Sequence, residues 1–247
     1  MYQKERLDGI IKILEEYGYV TVKFLTAALH YSNATINRDL NVLQKQKIIK
    51  RSYGGVELIE HKAVPLPFRY HIMKAEKRKI GRRAAEFIED GDTVFIDGST
   101  TCEYMADFLA EKSGVTVITN NIALAAKLSE KGVTVICLGG KIVEPPSMLS
   151  GSDTVENAEK YHADKTFFST GAIDEDGRIG SSDVYYLLLK TMVKNSDQIY
   201  YLVDHEKRHP VSKKYLFDVG QVDCVISDYD FGKELQKQYP DTKFELV

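Results

Sequence analysis

The chain has 247 residues, 43% of them hydrophobic, so it is long and apolar enough for two modest domains or one large one with a real core. No apolar run approaches the ~20 residues that cross a bilayer, no apolar signal segment follows Met1, and Cys102, Cys137 and Cys224 lie far apart with no Cys-x-x-Cys. A membrane span and a disulfide framework are set aside, and a cytoplasmic protein with buried, reduced thiols is expected. The net charge of -3 is uneven: residues 1–62 carry ten Lys/Arg against seven Asp/Glu, an excess of +3 that leaves -6 for the remainder. A mildly basic head on an acidic body fits a nucleic-acid-binding module tethered to a separate domain.

Leu7, Ile10, Ile11 and Leu14 have helical spacing and predict a first helix closing near Tyr17-Gly18. Tyr19-Val20-Thr21 reads as a short extended link, and a second helix follows over about 22–29 with Leu25, Ala28 and Leu29 inward. After a break at His30-Tyr31, Ser32 is placed to cap a third helix, whose Ile36, Leu40 and Leu43 form one apolar stripe. Its other side shows Ala34, Arg38, Asn41 and Lys45, with Thr35 and Asn37 near the start. Small, amide and basic side chains at the head of a short helix have the chemistry of a helix read into a DNA major groove. An ordinary amphipathic surface helix has a polar outer face too, so the neighbours decide. Residues 48–59 hold two β-branched runs around Gly54-Gly55, which predicts a hairpin. Three helices and a hairpin within some sixty residues make a winged helix-turn-helix, with Lys50, Arg51 and Tyr53 on the wing for phosphate contacts.

Pro65-Leu66-Pro67 marks a linker or hinge, taken as residues 61–74. Helical pattern returns over 74–88 through Ile80, Ala84, Phe87 and Ile88, with Lys74, Lys77, Arg78, Lys79, Arg82 and Arg83 as a basic outer face. That face is read as solvated, or as resting on DNA or on the acidic body. Seven apolar runs then alternate with helical ones: 93–96, 115–118, 133–136, 166–168, 199–203, 224–226 and 243–246. Near-continuous apolar strands between helices predict a mostly parallel sheet covered on both faces, an α/β domain over residues 75–247.

Polar residues follow the strands: Asp97-Gly98-Ser99-Thr100-Thr101, Thr119-Asn120-Asn121, Gly139-Gly140-Lys141, Ser169-Thr170-Gly171-Ala172 and Asp204-His205-Glu206-Lys207. In open α/β sheets ligands sit outside these strand ends. The N–H groups and hydroxyls of residues 98–101 suit an anion such as phosphate, with Lys207 or Lys141 as counter-charge. Gly, Ser, Thr and Asn also cap helices everywhere; several such loops on one edge favour a polar small-molecule pocket.

Residues 20–56, with Ser-x-x-Thr-Ile-x-Arg-Asp-Leu and then Arg-x-Tyr-Gly-Gly-Val, resemble the N-terminal module of the DeoR family of bacterial transcriptional regulators. The resemblance extends over residues 6–228 through Lys77-x-x-Ile80, Asp90-Gly91-Asp92, the Asp97 loop, Thr119-Asn120, Gly139-Gly140 and Asp204-x-x-Lys207. It implies a sensor domain similar to ribose-5-phosphate isomerase, in which Asp97, Thr100, Thr101, Asn120, Gly140, Gly171 and Lys207 line a site for a phosphorylated sugar. It also implies a repressor of a carbohydrate-catabolism operon released by that effector. Thr35, Asn37, Arg38 and Asn41 are then expected on double-stranded operator DNA, and a two-fold operator calls for a homodimer or homotetramer. Four residues depart from the family pattern: Asn37 replaces an arginine, Ser99 a glycine, Glu206 a serine, and Glu144 stands where a basic residue is frequent. Carboxylates pointing into an anion site would weaken it by repulsion.

The rival reading is a sugar-phosphate isomerase with an appended DNA-binding head. It needs a carboxylate base, for which Asp97, Asp174, Asp183 and Glu206 are available, while Gly180-Ser181-Ser182-Asp183 replaces the glycine-rich loop and Glu of those enzymes. No nucleotide loop, nucleophile elbow or zinc motif is present. His205 and His209 have no third ligand beside them, and the other histidines read as surface or turn residues. No metal or cofactor is expected.

Overall fold

The computed structural model describes residues 3–17, 19–46, 48–52, 55–59, 72–144, 148–208, 211 and 214–247. The chain divides into two compact units, Met1–Ile72 and Met73–Val247. Tyr53, Gly54, the Pro65-Leu66-Pro67 segment with most of the expected 61–74 linker, His61, His71 and His209 lie outside the described residues, as does the side chain of Glu144.

The first unit runs α1 (Gln3–Tyr17), β1 (Tyr19–Thr21), α2 (Val22–Leu29), α3 (Asn33–Lys45), β2 (Ile49–Ser52) and β3 (Gly55–Leu58). Leu7, Ile10, Ile11 and Leu14 of α1, Leu25 of α2 and Ile36, Leu40 and Leu43 of α3 are all buried in its core, as their spacing requires. Both short helices are capped by hydroxyls: Thr21 Oγ1 accepts from Phe24 N at 3.1 Å and Ser32 Oγ from Thr35 N at 3.2 Å. His30 ends α2 in the left-handed region, φ 57, which turns the chain sharply into α3. Two expectations need correction. Ala28 is exposed and Leu29 only half-buried, because an eight-residue helix has room for one inward row, led by Leu25. Tyr19-Val20-Thr21 is more than a link: β1 pairs antiparallel with β3, giving a three-stranded sheet in the order β1-β3-β2.

The second unit begins with α4 (Lys74–Glu86). Its main sheet contains β4 (Thr93–Ile96), β5 (Thr116–Thr119), β6 (Thr134–Cys137), β9 (Ala163–Phe168), β12 (Ser196–Val203), β14 (Cys224–Ser227) and β15 (Lys243–Leu246). These are the seven strands the apolar runs predict. All neighbours are parallel, in the order β15-β14-β12-β9-β4-β5-β6. Side chains alternate between two cores. Val94, Ile96, Val117, Phe167, Tyr200 and Leu202 enter one with Ile80, Ala84 and Ile88; Phe95, Ile118, Phe168, Tyr201 and Val203 enter the other. Burial on both faces is why these strands read as continuous apolar runs.

Further helices are α5 (Thr100–Glu103), α6 (Ile122–Glu130), α7 (Ser152–Ala158), α8 (Asp183–Lys194) and α9 (Gly232–Gln238). The apolar runs do not reveal the hairpin of β7 (Lys141–Glu144) and β8 (Met148–Ser150), nor the small antiparallel sheet of β10 (Ala172–Ile173), β11 (Arg178–Gly180) and β13 (Tyr215–Asp218). These strands of two to four residues are too short for a period to show. Cys102 and Cys224 are buried, whereas Cys137 is exposed, because β6 is the edge strand.

The basic face of α4 is largely solvated, with Lys74, Arg78, Lys79 and Arg82 exposed, and it touches the rest of its domain through Arg78 and Arg83. Arg78 pairs with Asp107 at 2.6 Å, Arg82 with Glu86 at 3.8 Å, and Arg83 with Glu86 and Glu245 at 2.7 and 3.0 Å. Lys77 does not belong to that outer face: it is 3% exposed, three residues before Ile80 and seven before Ala84 on the inward stripe. The chain moves from β4 outward to β5 and β6, then returns to β9 on the opposite side of β4 and continues outward to β15. The order of strands therefore reverses between β4 and β9, and in open α/β sheets the carboxyl ends at such a reversal are the crevice in which ligands sit.

Truncating Leu40 to Ala should cost about 2–5 kcal/mol, because it leaves a cavity against α1 and α2. Denaturant unfolding followed by helix circular dichroism would show the loss as a first transition moved to lower denaturant.

Candidate functional site

The loops after β4, β9 and β12 converge at this reversal. Asp97 leaves β4; its carboxylate accepts from Ser99 N at 3.1 Å and from Ser169 N, at the end of β9, at 3.4 Å. Ser99 has ordinary extended backbone, φ -67, and its hydroxyl caps α5 by accepting from Cys102 N. Thr100 and Thr101, which follow that cap, are both buried. Two ammonium groups meet these hydroxyls. Lys77 of α4 donates to Thr100 Oγ1 at 3.2 Å. Lys207, in the turn after β12, donates to Thr101 Oγ1 at 2.9 Å and to Ser169 Oγ at 2.8 Å, and lies 3.4 Å from Asp204 Oδ2.

Burial pushes both carboxylates toward the neutral form, with opposite outcomes. For Asp97 burial outweighs the hydrogen bonds from Ser99 and Ser169, and its pKa is raised. For Asp204 the burial cost is overcome by Lys207 and Lys77, and its pKa lies below the ordinary aspartate value. Asp204 Oδ2 has no hydrogen-bond partner among the described residues, so its charge is balanced by the nearby ammonium groups. Asn120 Oδ1 is a second buried acceptor without a partner there; Asn120 Nδ2 donates to Leu149 O at 2.9 Å. These loops thus bring together two cations, three hydroxyls and two buried oxygens, of which Asp204 Oδ2 is paired in charge with Lys207.

Of the residues expected in an effector site, Asp97, Gly98, Ser99, Thr100, Thr101, Asn120 and Lys207 are gathered by these loops. Gly98 serves packing more than unusual backbone: a Cβ would lie 2.8 Å from Met148 Cε and 3.2 Å from the Asn120 amide. Gly140, at φ 109, is pressed against Thr154 of α7, where any Cβ would collide with Oγ1; Lys141 is exposed on β7, and Gly171 is exposed after β9 with open space around it. Lys77, Ser169 and Asp204 are additions to that set. The Lys77 signal was its place on the stripe of Ile80 and Ala84; Ser169 and Asp204 are the first residues past their strands. Glu206 is 40% exposed and lies 3.6 Å from His205 Nε2. Among the carboxylates available to an isomerase, only Asp97 lines the crevice. Asp174 accepts backbone N–H groups of a turn, and Asp183 is exposed, paired with Lys214 at 2.6 Å. Among the described residues no group of three His, Cys, Asp or Glu could hold a metal ion.

In the first unit, Ser32, Ala34, Arg38 and Asn41 are exposed along α3, with Thr35 and Asn37 half-buried. The Thr35 hydroxyl is 2.9 Å from Ser32 Oγ, and Asn37 Nδ2 turns back to Asn33, donating to its carbonyl at 2.9 Å and touching its side-chain oxygen. Arg38, Asn41 and Lys45 carry the outward amide and basic chemistry. Lys50 is exposed beside Glu57 at 3.4 Å, and Arg51 donates to Asn37 O at 3.2 Å.

Two family models match the chain, the DeoR-like helix-turn-helix domain over residues 6–62 and the DeoR C terminal sensor domain over residues 72–229. The HTH-type transcriptional repressor GlcR of Bacillus subtilis (strain 168) is 35% identical over 231 residues, 92% of this chain and 89% of that protein. The glycerol-3-phosphate regulon repressor of Escherichia coli (strain K12) is 32% identical over 234 residues, 92% of each. Among solved structures, ribose 5-phosphate isomerase from Plasmodium falciparum aligns with a TM-score of 0.42 and 14% identity over 56% of this chain and 54% of that one.

Because the pKa of Asp204 is lower in the folded chain than in the unfolded one, its contribution to stability is present above the ordinary aspartate pKa and lost as pH falls through the folded value. Asp204→Asn should therefore melt below wild type at about pH 7, and the two melting curves should converge as pH falls below the ordinary aspartate range. Thermal scans across that range check the sign.

Proposed function

The chain belongs to the DeoR family and is a DNA-binding transcriptional regulator with a small-molecule sensor domain, and from that premise we propose that it is a cytoplasmic repressor released from its operator by a phosphorylated sugar. The observation that carries the effector class is the crevice at the strand reversal. Two ammonium groups, Lys77 buried and Lys207 partly exposed, and the hydroxyls of Thr100, Thr101 and Ser169 lie at the carboxyl ends of β4, β9 and β12. A phosphate dianion supplies the acceptors these groups need, at close range and away from bulk water. Asn120 Oδ1 and Asp204 Oδ2, two buried acceptors, suit the hydroxyl donors of a sugar. The partial exposure of Glu206 beside His205 supports an anion site despite that carboxylate.

On the DNA side, Arg38 and Asn41 read bases from α3, Thr35 and Asn37 assist at its start, and Lys50 meets phosphate. A dimer or tetramer presents two such helices to a two-fold operator. Catalysis has less support: of the two carboxylates at these strand ends, Asp97 has its oxygens occupied by backbone N–H groups and Asp204 lies beside Lys207. Isotope exchange at the sugar C–H beside the carbonyl would reveal an isomerase, and none is expected.

The test is a gel shift of the full chain on the DNA upstream of its own gene, with and without a panel of sugar phosphates. One compound should release a sequence-specific shift. Lys207→Ala should keep the shift and lose the release, while Arg38→Ala should weaken the shift itself by about 1–3 kcal/mol. A specific shift that no phosphosugar perturbs would sink the phosphate pocket and leave the regulator.

A further inference from the structure

Helix α3 is held from beneath by one carboxylate. Asp39 is fully buried, and Arg6 of α1 meets both its oxygens, Nε to Oδ2 at 2.8 Å and Nη2 to Oδ1 at 3.1 Å, with Gln3 Nε2 at 3.4 Å from Oδ1. The same guanidinium lies 5.4 Å over the ring of Tyr31, one residue before the Ser32 cap. One side chain of α1 therefore grips α3 at its middle and at its entry. A planar fork that engages both oxygens constrains direction as well as distance. Arg38 and Asp39 are adjacent, about 100° apart around the helix, so any roll that loosens Asp39 re-aims Arg38 by the same angle. On the wing side, Arg51 braces the same stretch through Asn37 O.

We propose that Arg6 and Asp39 form a positioning clamp that sets the roll of α3, and so determines which base edges Arg38 and Asn41 reach, without touching DNA themselves. The proposal rests on α3 being the helix that reads DNA. Lysine in place of Arg6 keeps the charge and loses the fork, leaving the buried carboxylate held at one point and free to turn.

The wild-type full chain is first used to select duplexes from a random pool. Arg6→Lys and the apolar pair Arg6→Met with Asp39→Leu are then titrated on the selected duplex and on a scrambled one, with circular dichroism as the control for folding. Replacing a buried ion pair by apolar side chains is often neutral for stability, so the double variant separates packing from aim. Both variants should bind the scrambled duplex as wild type does and lose about ten-fold in preference for the selected one. A folded Arg6→Lys with wild-type preference overturns the clamp, as does an equal loss on both duplexes, which a merely structural pair would give. If the double variant does not fold, Arg6→Lys alone decides. A wild-type chain that selects no sequence overturns the reading of α3 itself, an outcome distinct from loss of preference in the variants.

Discussion

An ammonium group withdrawn from water must find acceptors within the fold, and Lys207 and Lys77 place that demand at the strand reversal of the sensor domain. Thr101, Ser169 and Asp204 answer Lys207, and Thr100 answers Lys77. These partners come from α4 and from the ends of β4, β9 and β12, so the polar contacts also register those elements against one another. The depressed pKa of Asp204 follows from the same pair of cations, which overcome the cost of its burial. Under the proposed function, these cations and hydroxyls are the groups that a phosphate would engage.

The sheet explains why these groups sit where they do. Apolar side chains dominate both faces of β4, β9 and β12, and most of the polar chemistry gathers toward the ends. At the amino ends, Lys165 and Asp92 pair at 2.6 Å with both side chains largely buried. At the carboxyl ends Asp97, Thr100, Thr101, Ser169 and Asp204 are buried together at the reversal. Gly98 lets Met148 and Asn120 close against the loop backbone there.

The winged helix applies the same device to a different end. Its core of Ile36, Leu40, Leu43, Leu25 and the α1 leucines and isoleucines fixes which side of α3 faces inward. Apolar packing alone tolerates small rolls and slides. A buried carboxylate with a bidentate arginine does not, since each degree of misalignment weakens two charge-assisted hydrogen bonds at once. The basic residues that stay outward, Arg38 on α3 and Lys50 on the wing, are those that a polyanionic partner would meet first.

Much of the architecture was legible in the amino-acid order because it rests on local periodicity. Seven apolar runs became the seven strands of the parallel sheet, the stripes of α1 and α3 with Leu25 of α2 became the core of the winged unit, and Ser32 became a cap, each for a reason contained within a few residues. The hairpin of β7 and β8 and the small sheet of β10, β11 and β13 escaped because strands this short leave no period. The hydroxyl-rich loop at residues 98–101 and Lys207 were both marked in the sequence as polar residues past strand ends, and the fold brings them together. Lys77 was misread as solvated although it stood on the buried stripe with Ile80 and Ala84, since a lysine there makes sense only once a distant partner is known. That partner, Thr100, lies 23 positions away; Lys207 reaches Thr101 across 106, and Arg6 reaches Asp39 across 33. Which residues are helix, strand or cap was set by the local chain. Which charges are buried together, and so what each unit is prepared to bind, was decided only by tertiary structure, because Coulomb and hydrogen-bond partners are chosen by proximity in space.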